Sequence, residues 1–188
     1  MCRDKISATG TVGGDLLKMN IALLTSVFTV RRLTPEDADM ILALASGNKL
    51  FYEFHPPFAS GESILEDMKS LPPGKELKDK YYIGFFDGGN LVAIMDLILG
   101  YPGENTAYIG FFMVEQDYQG KEVGSKIIQD CADHLADIGY EKIRLAIDKG
   151  NPQSEAFWTK NRFVKTGEEY PNDFSAYLPM ERKLLRGK

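Results

Sequence analysis

The stretch YYIGFFDGGNLVAIMDLILGYPGENTAYIGFFMV, Tyr81 to Val114, decides the fold class. YYIGFF and LVAIMDLIL are apolar runs of strand length, and DGGN between them consists of residues that tolerate positive φ, the usual composition of a tight hairpin turn. TAYIGFFMV follows across GYPGEN. Three consecutive strands on such short links pair antiparallel, because parallel neighbours need a crossover of a dozen or more residues. A strictly alternating parallel sheet of the Rossmann kind is thereby excluded.

On the N-terminal side, Val27 to Arg32 reads as a first strand. LTPED then marks a helix start: Thr34 can cap, Pro35 suits the first helical position, and Glu36 and Asp37 complement the dipole. That helix runs to about Ala45. FYEFHPPF, Phe51 to Phe58, reads as an aromatic, proline-broken link, after which Ser60 opens a second helical pattern with Ile64, Leu65 and Met68 that ends before Pro72 and Pro73. On the C-terminal side the period becomes helical from Val123, with Ile127, Ile128, Cys131, Leu135 and Ile138 on one face and Gly139 as the stop. IRLAI is a short buried strand, PQSEAFWTKN a helix with Pro152 in its first turn, and VKTGEEY and AYLPMERKL are final strands. The order describes an α/β (α+β) sandwich: one mixed, mostly antiparallel central sheet of about seven strands with helices on both faces.

At 188 residues, with 44% hydrophobic and 26% charged residues, the chain has the size and composition of one globular domain. Residues 1–26, including SATGTVGGD, are expected to form a flexible leader and residues 27–188 the domain. MNIALLTSVFTV, Met19 to Val30, imitates a signal-peptide core but lacks a following small-residue cleavage site, and it is too short to span a membrane. The formal charge of −5, without a Lys/Arg cluster interleaved with aromatics, argues against a nucleic-acid partner. Cys2 and Cys131 are too few for a disulfide framework, so a reducing, cytoplasmic setting is the default. No short His/Cys spacing supports a metal site, and no GxSxG elbow supports a Ser–His–Asp hydrolase.

The segment YQGKEVGSK, Tyr118 to Lys126, leads from a strand into a helix. It is either a polar turn or an anion cradle in which the amides of Gly120 to Ser125 converge at the positive helix end, with Lys121 and Lys126 adding charge. It misses the spacing of the GxxxxGK[ST] nucleotide loop.

MVEQDYQGKEVGSKII followed by IRLAIDKGNPQSEAFWTKNRF resembles the two signature segments of the GNAT superfamily of acyl-CoA N-acyltransferases, and the order of elements agrees along roughly residues 27 to 184. The family's loop pattern [QR]xxGx[GA] lands on Gln119, Glu122 and Gly124, with Glu122 in place of the first glycine. The resemblance implies that Gln119, Gly120, Lys121, Glu122, Val123, Gly124 and Ser125 bind the pyrophosphate of coenzyme A, and that Met113 and Val114 present main-chain groups to the pantetheine and thioester. The downstream signature falls on Asn151, Ser154, Trp158, Arg162 and Phe163, where Trp158 replaces a tyrosine and Arg162 a glycine. An indole N–H is far too weak an acid to protonate a departing thiolate, but a thiolate is already a good leaving group at neutral pH. Glu122 should face solvent, and its N–H stays available wherever the loop bends there without a positive φ.

The implied activity is N-acetyl transfer from acetyl-CoA to the amine of a small molecule, directly within a ternary complex; the alternative is a non-catalytic acyl-CoA-binding sensor or structural domain. For the base, Asp96 stands among apolar residues, where burial raises a carboxyl pKa; it could instead anchor the substrate ammonium, or be a carboxylate bonded at a strand irregularity. Tyr108 aligns near the position of a glutamate base in some relatives, although a phenol with pKa ~10 is as readily a core or substrate contact. Glu53 and His55 could bind the amine or relay its proton, with Phe51, Phe54 and Phe58 as apolar walls; otherwise the segment is a hydrophobic latch made rigid by Pro56 and Pro57. Tyr177, Leu178 and Met180 of the last strand complete the sheet or join a partner, which leaves a homodimer open.

Overall fold

The computed structural model describes residues 19–185. The meander read from Tyr81 to Val114 is present as β2 (Lys80–Asp87), β3 (Asn90–Leu99) and β4 (Thr106–Val114), paired antiparallel in succession. β1 (Thr29–Arg32) pairs with β2, and α1 (Ala38–Gly47), α2 (Lys49–Phe54) and α3 (Gly61–Asp67) lie between them in the chain. After β4 come α4 (Val123–Asp137), β5 (Lys142–Asp148), α5 (Pro152–Lys160), β6 (Val164–Lys165), β7 (Tyr170–Pro171) and β8 (Ala176–Lys183). They complete an eight-stranded sheet in the order β1-β2-β3-β4-β5-β8-β6, with β7 beside β8.

Each face of the sheet carries its own core. The amphipathic stripe of α4 buries Ile127, Ile128, Cys131 and Leu135 against Phe85, Met95, Leu97 and Leu145, joined by Trp158 and Phe163. On the opposite face Ile41 and Leu44 of α1, Tyr52 of α2 and Ile64 of α3 pack on Tyr82, Phe86, Ile94 and Met113. Period-2 side-chain alternation in the strands sends neighbouring residues to opposite cores, which is why β3 is buried almost throughout.

Three expectations change. FYEF forms the last four residues of a helix, α2, because Phe51 and Tyr52 find burial on the sheet, and Pro56 and Pro57 come only after the helix has ended. The first strand begins at Thr29, since Val27 is exposed. Residues 19–26, assigned to the leader, are docked: Leu24 is fully buried, its carbonyl accepts from Cys131 Sγ at 3.4 Å, and Thr25 Oγ1 donates to Asp130 at 3.2 Å. The leader residues before Met19 lie outside the described residues.

The turn into α1 is clamped by Asp37, whose carboxylate accepts from Arg31 at 2.7 and 2.8 Å and from the Thr34 N–H at 2.9 Å. The Arg31 guanidinium is the main reason its pKa falls to about 2. A depressed carboxyl pKa stabilises the fold above the unfolded value, and the gain is lost as the pH falls through the folded value. Stability should therefore drop between about pH 4 and about pH 2. Asp37→Asn is expected to lose about 1 kcal/mol at pH 7, discounted for the half-exposed Arg31, and to flatten that acid limb in urea titrations.

Candidate active site

The site originates in a gap between two strands. β4 and β5 run parallel and pair only from Thr106 opposite Lys142 to Ile109 opposite Leu145. Beyond that point they part, and Gly110 is the cause on the β4 side: Asp96 pairs with Phe111 and Leu97 with Ile109, so Gly110 is an extra residue. Such a bulge bends its strand. Gly110 has no room for a side chain, since a Cβ there would stand 2.9 Å from Asp96 Oδ2.

The gap widens into a cleft of about 470 Å³, within the range of small-molecule sites. One end is lined by Val114, Gln119, Gly120, Glu122 to Ser125, Asn151, Ser154, Phe157, Trp158 and Lys160, the other by Phe51, His55, Tyr108, Gly110, Phe111, Asp148 and Tyr177. Register decides which main-chain groups face it. The Glu115 N–H donates to Val92 O at 2.8 Å, so alternate residues of β4 turn their amides to β3 and those between turn away. Phe112 therefore turns its N–H and C=O, and Val114 its N–H, toward the cleft, the Val114 carbonyl being taken by Gln119 Nε2 and Asn48 Nδ2, whereas Met113 bonds toward Ile94. Both residues expected to meet the thioester, Met113 and Val114, line the cleft together with Phe112, but the Met113 main chain is paired with β3.

At the loop, no backbone N–H from Gly120 to Ser125 donates to any group of the described residues. Gly120 has φ 70° and Glu122, the residue before α4, has φ 61°. Against the expectation of a loop without positive φ at Glu122, the chain takes there the left-handed bend that glycine would favour and holds a glutamate in it. Arg162, the other position where a signature glycine is replaced, does the same with φ 69°. At both positions the backbone takes the left-handed bend that glycine favours. The loop is braced by Gln119 Nε2, which donates to Val114 O at 2.9 Å and to Asn48 Oδ1. Gly124 lets α4 sit close, since a Cβ there would be 3.1 Å from Phe157 and 3.2 Å from Val114. An undonated row of amides at a helix start beside a cleft suits a pyrophosphate.

Glu122 is solvent-facing and forms an ion pair with Lys160 across the mouth. Lys126 is engaged by Asp130 at 2.6 Å and Lys121 stands exposed outside the cleft, so neither is aimed at the cradle. Glu122→Gly should relax the strained φ and free Lys160, lowering the Kd for CoA by about threefold to tenfold, on the order of 1 kcal/mol. Isothermal calorimetry with CoA checks it; an unchanged or weaker affinity would sink the repulsion argument.

Not all of the expected residues gather at the cleft. Asp96 lies behind β4, its Oδ2 held by Lys80 Nζ at 2.7 Å, with side-chain exposures of 13% and 2%. Burial raises the Asp96 pKa, opposed by Lys80. Its Oδ1 is buried without a protein partner among the described residues. Glu53 and Phe54 fall outside the cleft because α2 turns Phe51 and His55, one helical turn apart, toward it and Glu53 to solvent. Tyr108 lines the acceptor end, and burial raises its pKa, away from any role as a base. Trp158 lines the cleft but packs into the core, with ring centroids 5.0 Å from Phe157 and Phe163 and 6.0 Å from Phe112. Asn151 caps α5, accepting from the Ser154 N–H at 3.0 Å. Asp148, whose signal in the sequence is only a lone carboxylate ending the apolar strand IRLAI, and Tyr177, expected in the sheet or an interface, also line the cleft.

No group of His, Cys, Asp and Glu among the described residues could hold a metal ion, and no helix there is long and apolar enough to cross a membrane.

A mixed sheet with one splayed parallel pair, and an amide-lined loop at the mouth of the splay, define the acyl-CoA N-acyltransferase class of α/β fold. The chain belongs to the acetyltransferase (GNAT) family, whose model matches residues 48–163, more than half of its length. That family uses acetyl-CoA. Among solved structures, an acetyltransferase from Thermus thermophilus superposes with TM-score 0.67 at 20% identity, over 86% of this chain and 99% of that one. PaiA N-acetyltransferase from Thermoplasma acidophilum, solved in complex with coenzyme A, gives 0.60 at 20% identity over 83% and 98%. A mutant spermidine N-acetyltransferase from Vibrio cholerae gives 0.60 at 20% identity over 85% and 95%. At this identity the likeness is one of fold. No curated protein matches the sequence.

Proposed function

We propose that the chain transfers an acetyl group from acetyl-CoA to the amine of a small molecule, directly within a ternary complex. The observation that carries this reading is the continuity of the cleft, from the undonated amides of Gly120–Ser125 to the aromatic chamber around Phe51, Phe111 and Tyr177. The coenzyme supplies an activated thioester. The loop amides hold its pyrophosphate, and the Phe112 and Val114 main chain holds the pantetheine arm along β4. An N–H on this edge polarises the acyl carbonyl. Phe157 and Trp158 wall the arm apolarly. Trp158 donates at most a hydrogen bond, so the thiolate leaves unaided by a side-chain acid there. The spermidine acetyltransferase among the structural neighbours supports an amine acceptor.

Thiol release from acetyl-CoA over a panel of primary amines tests the proposal. A turnover that saturates with one amine supports it. Tight CoA binding without turnover on any amine would favour the sensor reading, for which the burial of Trp158 among aromatic rings is the specific observation.

A further inference from the structure

His55 Nδ1 stands 3.2 Å from both carboxylate oxygens of Asp148. Both side chains line the acceptor end of the cleft, together with Tyr108, Gly110, Phe111 and Tyr177. They come from opposite sides of the gap: His55 is the C-cap of α2, packed at 5.1 Å on the Phe51 ring, and Asp148 ends β5 opposite Tyr177 of β8. The side chain of His55 is 44% exposed and that of Asp148 12%. The Asp148 carboxylate can only accept here, so Nδ1 carries a proton and donates it. Nε2, which bonds to none of the described residues, is then left as the basic nitrogen.

We propose that His55 is the proton acceptor of the acyl transfer and Asp148 its positioning residue, an inference that rests on the acetyltransferase reading. The lone pair of the unprotonated amine attacks the thioester carbon, a C–N bond forms, and the amine's proton passes to His55 Nε2. The C–S bond breaks with its electron pair on sulfur, and the proton held by His55 ends on that thiolate through solvent. Amine and acetyl-CoA thus become amide and free thiol, with atoms and charge balanced. Asp148 sets the tautomer and stabilises the imidazolium, as carboxylate partners of catalytic histidines do. Neither Asp96, tied to Lys80 behind β4, nor the buried Tyr108 phenol competes for this role.

The groups facing the imidazole give its titration a direction. Its bond to Asp148 on β5 raises the His55 pKa above the usual histidine value; burial opposes this, and Asp67 on α3 adds to the rise. Tyr177 on β8 stands beside the ring at 6.3 Å, and Tyr108 on β4, whose pKa burial raises, shares the same end of the cleft. Activity requires neutral His55, so the acid limb of kcat/KM should follow this raised value.

The test uses the full chain with acetyl-CoA and 1,4-diaminobutane, tyramine and alaninamide as acceptor probes. His55→Gln should lower kcat by about 100- to 1,000-fold with CoA affinity held within about twofold. Asp148→Asn should lower kcat by about 10- to 100-fold and move the acid limb to lower pH. Added imidazole should restore turnover to His55→Ala. A mere latch between α2 and β5 would instead lower Tm and raise KM, without moving the acid limb or responding to imidazole. Undiminished turnover in His55→Gln, or an unmoved limb in Asp148→Asn, overturns the dyad while leaving the acetyltransferase reading standing. No thiol release by the unaltered chain with any probe would sink both.

Discussion

Replacing Lys80 by methionine is expected to destabilise the fold by about 3–5 kcal/mol at pH 7, because it strips the close countercharge from a buried carboxylate. Lys80 is almost wholly inaccessible, and its Nζ lies 2.7 Å from Asp96 Oδ2. The other Asp96 oxygen already lacks a protein partner among the described residues. With the ammonium gone, burial would push the Asp96 pKa further up, and the carboxyl would take up a proton rather than remain charged. A raised carboxyl pKa gives stability that is fully present below the unfolded value and is lost as the pH rises through the folded one. The defect in Lys80→Met should therefore be milder near pH 4 than at pH 7, the opposite sign to Asp37. Lys80→Met combined with Asp96→Leu should recover most of the loss, since an apolar pair of similar volume often matches a buried ion pair. Urea unfolding at the two pH values measures both variants against the parent; a single variant as stable as the parent would mean that Asp96 finds other partners.

Gly124→Val is expected to weaken CoA binding by about 10- to 100-fold, the equivalent of the roughly 1–3 kcal/mol that overpacking costs. A hydrogen on Gly124 faces Phe157 and Val114 at distances where even a methyl group needs its neighbours to give by a few tenths of an ångström. A branched side chain must push the start of α4 away from β4, and the row of loop amides moves with it. Because Gln119 bonds to the Val114 carbonyl, the displacement would also pull at the loop's other anchor. Calorimetry with CoA reads the affinity and thermal unfolding reads the fold. Equal loss in both would mark a global packing defect, whereas lost affinity in a stable protein would locate the effect in the cradle. Gly120→Ala is a weaker comparison, because space is open there and only its φ of 70° resists a side chain.

The legible parts of this protein were those written in local periodicity. The meander, the α4 stripe and the capped start of α3, where Ser60 and Ser63 exchange hydrogen bonds, each carry their signal within a window of a few residues. α2 was not legible because KLFYEF is too short to show a helical period, and the burial that holds it is supplied by the sheet. VKTGEEY, ahead of β8, read as one strand and became β6 and β7 on separate stretches of it. The carboxylate that looked most functional, Asp96, did so through its apolar neighbours. The sequence could not place Lys80, sixteen residues upstream, beside it across β2 and β3.

By itself, then, the sequence determined the class of sheet, the position of the glycine loop at a strand-to-helix junction, and the family, because these follow from residue type and spacing along one dimension. Only the tertiary structure decided which groups meet. The bulge at Gly110 opened β4 from β5, register chose Phe112 and Val114 over Met113, and helical phase turned His55 to the cleft and Glu53 to solvent. His55 and Asp148 are 93 residues apart in the chain. No local pattern couples them; the sheet brings them to one chamber, and that distance in sequence is why the site had to be seen folded.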